Sequence, residues 1–334
     1  MRTASLRRLT AGTVAAGLLL TGCGTTAEGG SASGSAGDGP ISGLRFMVPN
    51  SAGSGYDTTA RVVAQVLEGQ ELAEGIEVFN LEGAGGTVGL QRLVNEEGND
   101  KMLMQMGLGV VGASFTNQSE ATLEDTTPIA KLIEESEAIV VPADSPYKTL
   151  DDLITAWKAD PGSVPVGGAS NPGGPDHLTP MLLAQAVDLD PTTVNYVAYD
   201  GGGELLAAIL GSQIAFGATG IGEVAEQAAA GEVRILAVTS EEAVEGVDAP
   251  TLTEEGVDLV FTNWRGIVAP PGLEDDQTQA FIDAVTEMHD SEGWQAALEE
   301  NGWTDAFLTG DDFSDFLGNE SARVQTVLSE LGLA

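Results

Sequence analysis

A short apolar run that breaks into glycines and small polar residues, then resumes at helical spacing, recurs along this chain of 334 residues. Repetition of that unit constrains the fold more than any other feature. In the first instance, Leu44, Phe46, Met47 and Val48 lead through Pro49-Asn50-Ser51-Ala52-Gly53-Ser54-Gly55-Tyr56-Asp57 to Ala60, Val63, Ala64 and Leu67. The run reads as a buried strand, and the later spacing as one face of a helix. Ile76–Leu81 leads through Glu82–Gly89 into a helical pattern at Leu90, Leu93 and Val94. Met102–Met106 opens into the glycine run Gly107–Gly112. The theme then repeats at Val164–Val166 with the loop Gly167–His177, at Val194–Val197 with Tyr199–Glu204, and at Ile214–Phe216 with Gly217–Gly222. Alternation of this kind predicts an α/β fold with a largely parallel sheet.

The loops share one chemistry. Glycines let a backbone approach a ligand closely. A helix start offers free N–H groups and the positive end of a dipole, which favours an anion. Asp57 or Thr58 can cap the first of these helices. No Gly-Lys-Ser/Thr follows the first loop, and Gly53-Ser54-Gly55 lacks the dinucleotide spacing, so neither nucleotide fingerprint is present. One such loop alone would be an ordinary turn. Several of them, each following a strand, would gather beyond the carboxyl ends of the sheet, where open α/β folds bind ligands. Backbone N–H groups and the hydroxyls of Ser54, Thr87, Ser170 and Thr219 would then form a mostly neutral donor array that suits a carboxylate.

Two lobes are expected. Pro128–Leu132 and Ala138–Val141 read as strands, with a lobe boundary near residue 142, and Val233–Val238 as a strand that crosses back. One lobe would comprise residues 44–141 and 239–334, the other residues 142–238. Glu241–Leu252 reads as an acidic loop and Trp264–Ala269 as a strand. Amphipathic helices are expected at Asp275–His289, Glu292–Asn301 and Asp311–Leu331. The methionines at 102, 104 and 106 read as core.

The N-terminus carries a secretory pattern: Arg2, Arg7 and Arg8, a short apolar core from Ala11 to Leu20, then Leu20-Thr21-Gly22-Cys23. The last four resemble a bacterial lipobox, which makes residues 1–22 a lipoprotein signal peptide and Cys23 the lipidation site. Cys23 is the single cysteine, so no internal disulfide is available. Residues 23–40 are small and polar and read as a flexible tether from the outer face of the cell membrane. No other segment reads as a membrane span.

Charge narrows the partners. There are 51 acidic against 13 basic residues, a net −38. It becomes more negative still when Arg2, Arg7 and Arg8 leave with the signal. Nucleic acid is excluded as a partner. Long-range steering would repel an anion, so any anion must be held by local donors in a shielded cleft.

A catalytic centre is hard to assemble. His177 and His289 are the only histidines. A Ser–His–Asp relay through His177 with Asp176 or Asp200 is conceivable, but no G-x-S-x-G elbow appears. No zinc motif is present, and Asp151-Asp152 and Asp311-Asp312 read as helix caps. The chain is therefore read as a non-enzyme without cofactor or metal.

Together, Val48–Arg61, Gly83–Gly89, the Gly167–His177 loop, Tyr199–Glu204 followed by Leu-Gly-Ser-Gln, and Trp264–Gly272 resemble the TctC/Bug family of extracytoplasmic solute receptors. The resemblance runs from about residue 44 to the end. It implies a two-lobed periplasmic-binding-protein fold of the Venus-flytrap kind, type II-like, with ligand in the interlobe cleft. It also implies a small carboxylate ligand, a tricarboxylate such as citrate first among them, and handover to a permease of one large and one small integral subunit. A monomer is expected. The family loops map onto Pro49, Gly53, Gly55 and Asp57; onto Gly168, Ser170, Gly173 and His177; and onto Tyr199, Gly201 and Gly202. The expected ligand contacts are Ser54, Gly55, Tyr56 and Asp57 with Gly85, Gly86 and Thr87 from one lobe. From the other come Ser170, Asn171, Gly173, His177, Tyr199, Asp200, Gly201, Gly202 and Thr219. Asn50 and Ser54 depart from the family pattern, and Asp200 and Glu204 bring acid near the site, which would favour a ligand with an amino group. A receptor of the same fold that feeds a two-component sensor is the alternative, and a hydrolase using His177 a more distant one.

Overall fold

A single 16-residue strand, Thr127–Pro142, ties the molecule together. The sequence reading splits it in two, because Glu134-Glu135-Ser136-Glu137 is polar between apolar flanks. The strand runs straight through, because its backbone finds partners on both sides of the polar stretch. Glu135 and Ser136 pair with Asn263 and Thr262, and Glu137 pairs with Gly220.

The structure, a computed structural model, describes residues 39–199 and 201–334; the signal, Cys23, most of the tether and Asp200 lie outside the described residues. The chain runs β1 (Ile41–Ser42), β2 (Arg45–Val48), α1 (Gly55–Gly69), β3 (Ala73–Glu74), β4 (Glu77–Asn80), α2 (Thr87–Val94), β5 (Met102–Gly107), α3 (Leu108–Thr116) and β6 (Thr127–Pro142). It continues with α4 (Leu150–Ala159), β7 (Val166–Gly168), α5 (Pro175–Ala186), β8 (Tyr196–Ala198), α6 (Gly202–Leu210), β9 (Phe216–Gly220), α7 (Ala225–Ala229) and β10 (Val233–Val238). Then come β11 (Thr262–Ala269), α8 (Asp275–His289), α9 (Glu292–Asn301), β12 (Thr304–Thr309) and α10 (Gly310–Glu330).

The main sheet has the order β4-β2-β5-β11-β6-β9-β7-β8, with β10 and β12 also on β6. Two parallel sets, β4-β2-β5 and β9-β7-β8, flank an antiparallel centre. The sheet is thus mixed rather than largely parallel: β11 pairs antiparallel with both β5 and β6, and β6 pairs antiparallel with β9 and β10. β12 was not legible beforehand. Its residues Thr304–Thr309 are at most half-buried, which leaves little apolar signal.

Helices cover both faces. Val63 and Leu67 of α1 pack with Phe46, Phe281 of α8 and Trp294 of α9 on one face. On the other, Met47, Met104 and Met106 pack with Leu90 of α2, Val111 of α3 and Phe313 of α10. The methionines are core, as their setting in an apolar strand implies. Beyond the sheet centre, Trp157 of α4 meets Phe216 edge-on at 5.2 Å, among Ile139, Val141 and Leu183. Leu205 and Ile209 of α6 pack on Val140 and Val238. Each buried side chain of this size contributes about 1.5–3 kcal/mol by leaving water. Among the described residues no helix is long and apolar enough to cross a membrane.

Candidate ligand-binding site

The first glycine loop is held from within. Ser54 caps α1, and its hydroxyl accepts from the Asp57 N–H at 3.3 Å. Asp57 is buried. Its carboxylate accepts from the Gly53 N–H at 2.9 Å, from Arg61 Nε at 2.9 Å and from Asn80 Nδ2 at 3.0 Å. The Arg61 hydrogen bond does most to hold its pKa down, to about 2. Both Asp57 oxygens are therefore engaged in shaping the loop. Gly55, at the first turn of α1, lies against Arg265 of β11: a β-carbon there would stand 2.8 Å from the guanidinium carbon.

The second loop is a tight turn, Ala84–Gly86, with Gly85 at φ 65° and Gly86 at φ 96° in the left-handed region that glycine enters freely. A β-carbon on Gly85 would meet Ala113 Cβ at 2.5 Å. The Thr87 hydroxyl donates to the Ala84 carbonyl at 2.9 Å, within its own turn. The third glycine run, Gly107–Gly112, reads as a loop in the sequence, but Gly107 ends β5 and Leu108–Gly112 begin α3. The Tyr56 hydroxyl accepts from the Gly109 N–H at 3.1 Å and so ties α3 to α1.

From the other side, the loop Gly168–Gly174 leads into α5. Ser170 Oγ accepts from the His177 N–H at 3.3 Å, and the Asn171 carbonyl accepts from the Gly174 N–H at 2.9 Å. The buried His177 ring accepts the Gly173 N–H on Nδ1 at 3.2 Å and meets Tyr196 edge-on at 4.9 Å. Burial lowers its pKa to about 4. The ring is thus a neutral clamp on the Gly173 loop. Ser170 faces its backbone rather than its ring, and the neighbouring Asp176 carboxylate accepts from the Ala169 N–H at 2.7 Å. These three side chains do not form the relay that a hydrolase would use.

Tyr199 packs its ring on Gly167, where a β-carbon would stand 2.9 Å from Tyr199 Cε2. Gly201 caps α6, which begins at Gly202. Thr219, read as a loop residue, lies buried in β9, because the strand continues to Gly220 against Glu137 and Ala138 of β6. Its hydroxyl donates to Glu223 Oε2 at 2.7 Å. That same Glu223 carboxylate crowds the start of α6: a β-carbon on Gly202 would stand 2.7 Å from its Cδ.

Between the two sets of loops lies a charged floor that the sequence reading did not assign. Arg265 is 8% exposed; it pairs through Nη2 with Glu135, and its Nη1 donates to Thr59 Oγ1 at 3.3 Å. Its Nε has no partner. Glu137, two residues along β6 from Glu135, is 1% exposed, and its Oε2 also has no partner. Burial, then the charges of Asp176, Glu223 and Glu135, raise the Glu137 carboxyl well above the usual range, against the lowering pull of Arg265. Asp176 is raised to about 6, mainly by burial. A signal for Arg265 existed in the sequence: in the strand Trp264–Ala269 it alternates in step with Ile267 and Ala269, so a cation sits on an apolar face.

A family model described as "Tripartite tricarboxylate transporter family receptor", TctC, matches residues 59–333. The chain is 26% identical over 295 residues to a "UPF0065 protein in gbd 5'region" from Cupriavidus necator, covering 87% of this chain and 88% of that one. It is 26% identical to Protein BugT of Bordetella pertussis, covering 88% and 90%. Among solved structures, a ligand-free TctC solute-binding protein from Polaromonas superposes with TM-score 0.75 at 24% identity, covering 87% of this chain and 99% of that chain. MatC from Rhodopseudomonas palustris with bound malate gives 0.69 at 22% identity, covering 86% and 99%. Another R. palustris protein, with adipate, gives 0.73 at 21%, covering 88% and 98%. At these identities the structural likeness establishes the fold, that of two-lobed periplasmic solute-binding proteins.

Proposed function

The chain belongs to the TctC family of tripartite tricarboxylate transporter receptors, and from that premise we propose that it captures a small carboxylate between its lobes and hands it to a membrane permease. One observation carries the reading. The buried Arg265 guanidinium stands against Gly55 at the first turn of α1, with its Nε unpartnered. A carboxylate there would meet a fixed cation, the α1 dipole and free backbone N–H groups in a shielded place, where such hydrogen bonds are strongest. The structures with malate and adipate support the same ligand class. Citrate would bring three negative charges to a cleft whose arginine is already paired with Glu135, so mono- and dicarboxylates fit better.

The remaining assignments follow from this role. The lobes comprise residues 44–141 with 239–334, and residues 142–238, with the crossing inside β6. The permease has one large and one small integral subunit. Cys23 carries the lipid, residues 23–40 form the tether, and the receptor works as a monomer outside the cell membrane.

A thermal-shift screen of the full chain against acetate, succinate, malate, adipate, citrate and a set of amino acids tests the reading. An acid at ~100 times its Kd should stabilise the fold by about 2.7 kcal/mol. If no acid in the set shifts the transition, and none is found by mass spectrometry of the denatured protein, the carboxylate reading is wrong.

A further inference from the structure

The cleft holds more acid than a receptor for simple carboxylates needs, and part of that acid is unpartnered. Glu137 is almost fully buried and its Oε2 accepts from nothing. A buried acceptor left without a donor is costly, so it calls for a partner. The groups around it are Asp176 from the start of α5, Glu223 beyond β9, Glu135 on its own strand and Arg265 across the sheet. Arg265 is paired with Glu135 and does not hydrogen-bond to Glu137. Glu223 crowds the start of α6 beside Gly202, so an anion arriving at that helix would meet a carboxylate first.

We propose that Glu137, Glu223 and Asp176 form a subsite for a primary ammonium group, so that the ligand is a zwitterion or cation: one carboxylate at Gly55 and Arg265, one or more ammonium groups at Glu137. The inference rests on the carboxylate reading above for its first half and on the acidic floor for its second. An ammonium fits because it has three N–H donors to share among separated carboxylates. A metal ion fits less well, since among the described residues no group of three or more His, Cys, Asp and Glu side chains converges enough to hold one. A quaternary ammonium has no N–H and would leave Glu137 Oε2 unpartnered. Charge points the same way: one arginine stands among these carboxylates, so an ammonium group gains an attraction there that a simple acid lacks. Burial and the neighbouring carboxylates raise the Glu137 pKa, and an ammonium beside it would pull it back down.

The test pairs each amino acid with the same acid lacking nitrogen. The full chain is titrated with glycine, β-alanine, γ-aminobutyrate and lysine, beside acetate, propionate, butyrate and hexanoate, with glutarate and putrescine as further probes. The expected result is that at least one amino acid binds tenfold or more tighter than its nitrogen-free partner. That preference should fall at least tenfold in Glu137→Gln and in Glu223→Gln. Glu223 is exposed, so its variant keeps the test valid if Glu137→Gln fails to fold. If every nitrogen-free acid binds as tightly as its amino partner, the ammonium subsite is overturned while the carboxylate reading stays intact. A preference unchanged in both variants would overturn the subsite in the same way. Putrescine binding as tightly as the best amino acid would overturn the carboxylate half alone. No binding by any probe would overturn both.

Discussion

The backbones of Gly112 in α3 and Gly173 in the α5 loop meet so closely that a β-carbon on Gly112 would overlap the Gly173 carbonyl oxygen and stand 2.5 Å from its carbonyl carbon. Here α3 touches the loop that leads into α5. Gly112→Ala should force backbone apart, since neither group is the free end of a side chain. We expect a loss of about 1–3 kcal/mol, typical of overpacking. We also expect a smaller ligand-induced thermal shift, because a ligand that bridges both lobes favours the state in which they touch. Calorimetric unfolding with and without the best acid checks both; an unaltered ligand shift would mean that this contact takes no part in closure.

Arg265 offers a sharper test of the anion site. Arg265→Met keeps the apolar stem and removes the fork. Affinity for the best carboxylate should fall at least tenfold, about 1.4 kcal/mol. Arg265→Lys should rescue it only in part, because a point charge cannot reproduce a planar fork. Gly55→Trp should push the guanidinium aside and abolish the ligand-induced shift while the fold remains, since the clash is with a side-chain end. Isothermal titration of the three variants decides it, and wild-type affinity in Arg265→Met would remove this residue from the site.

Much of this was legible in the chain because two rules rarely fail. Apolar runs such as Met102–Met106 must be buried, and Ala60, Val63, Ala64 and Leu67 must share a helix face. The helices Asp275–His289 and Glu292–Asn301 fall where their amphipathic spacing puts them. The charged floor was hidden for the opposite reason. Glu134-Glu135-Ser136-Glu137 falls in the gap between the two strands read there, because acidic residues are seldom buried. Only the pairing of β6 with β9 and β11 reveals that the backbone there is strand and that Glu137 is enclosed. The neutral donors expected at Thr87 and Thr219 exist, but their hydroxyls are engaged by Ala84 and Glu223. Short polar side chains find local partners that spacing alone does not disclose.

Asp57 should matter for the loop rather than for the ligand's charge. Its carboxylate binds Gly53, Arg61 and Asn80, and its pKa is lowered to about 2 against an ordinary 3.8. A depressed carboxylate pKa contributes stability that is present above about pH 4 and is lost as pH falls toward 2. Asp57→Ala should cost about 1.5–3 kcal/mol at neutral pH, the range for hydrogen bonds to a charged group. It should also flatten the acid limb of the stability curve between pH 4 and 2. Urea unfolding across that range measures both, and a variant with wild-type acid sensitivity would show that the linkage lies elsewhere.

The adjacent pair Asp176 and His177 should pull stability in opposite directions over nearly the same pH window. His177 has a folded pKa of about 4 against an ordinary 6.5, so the unfolded chain binds the extra proton between those values. Its contribution therefore grows as pH rises from 4 to 6.5 and is lost on acidification. Asp176 has a folded pKa of about 6 against 3.8, so there the folded chain binds the extra proton. Its contribution is present below pH 3.8 and is lost as pH rises toward 6. Each effect is of order 3 kcal/mol, at about 1.4 kcal/mol per pKa unit, and in the wild type the two largely cancel. Removing one should expose the other. Asp176→Asn should become markedly more stable on going from pH 4 to pH 6, whereas His177→Asn, which retains an acceptor for the Gly173 N–H, should become less stable. Denaturant unfolding of both variants at half-unit pH steps gives the two slopes. Slopes of the same sign would mean that burial does not lower the His177 pKa and raise that of Asp176.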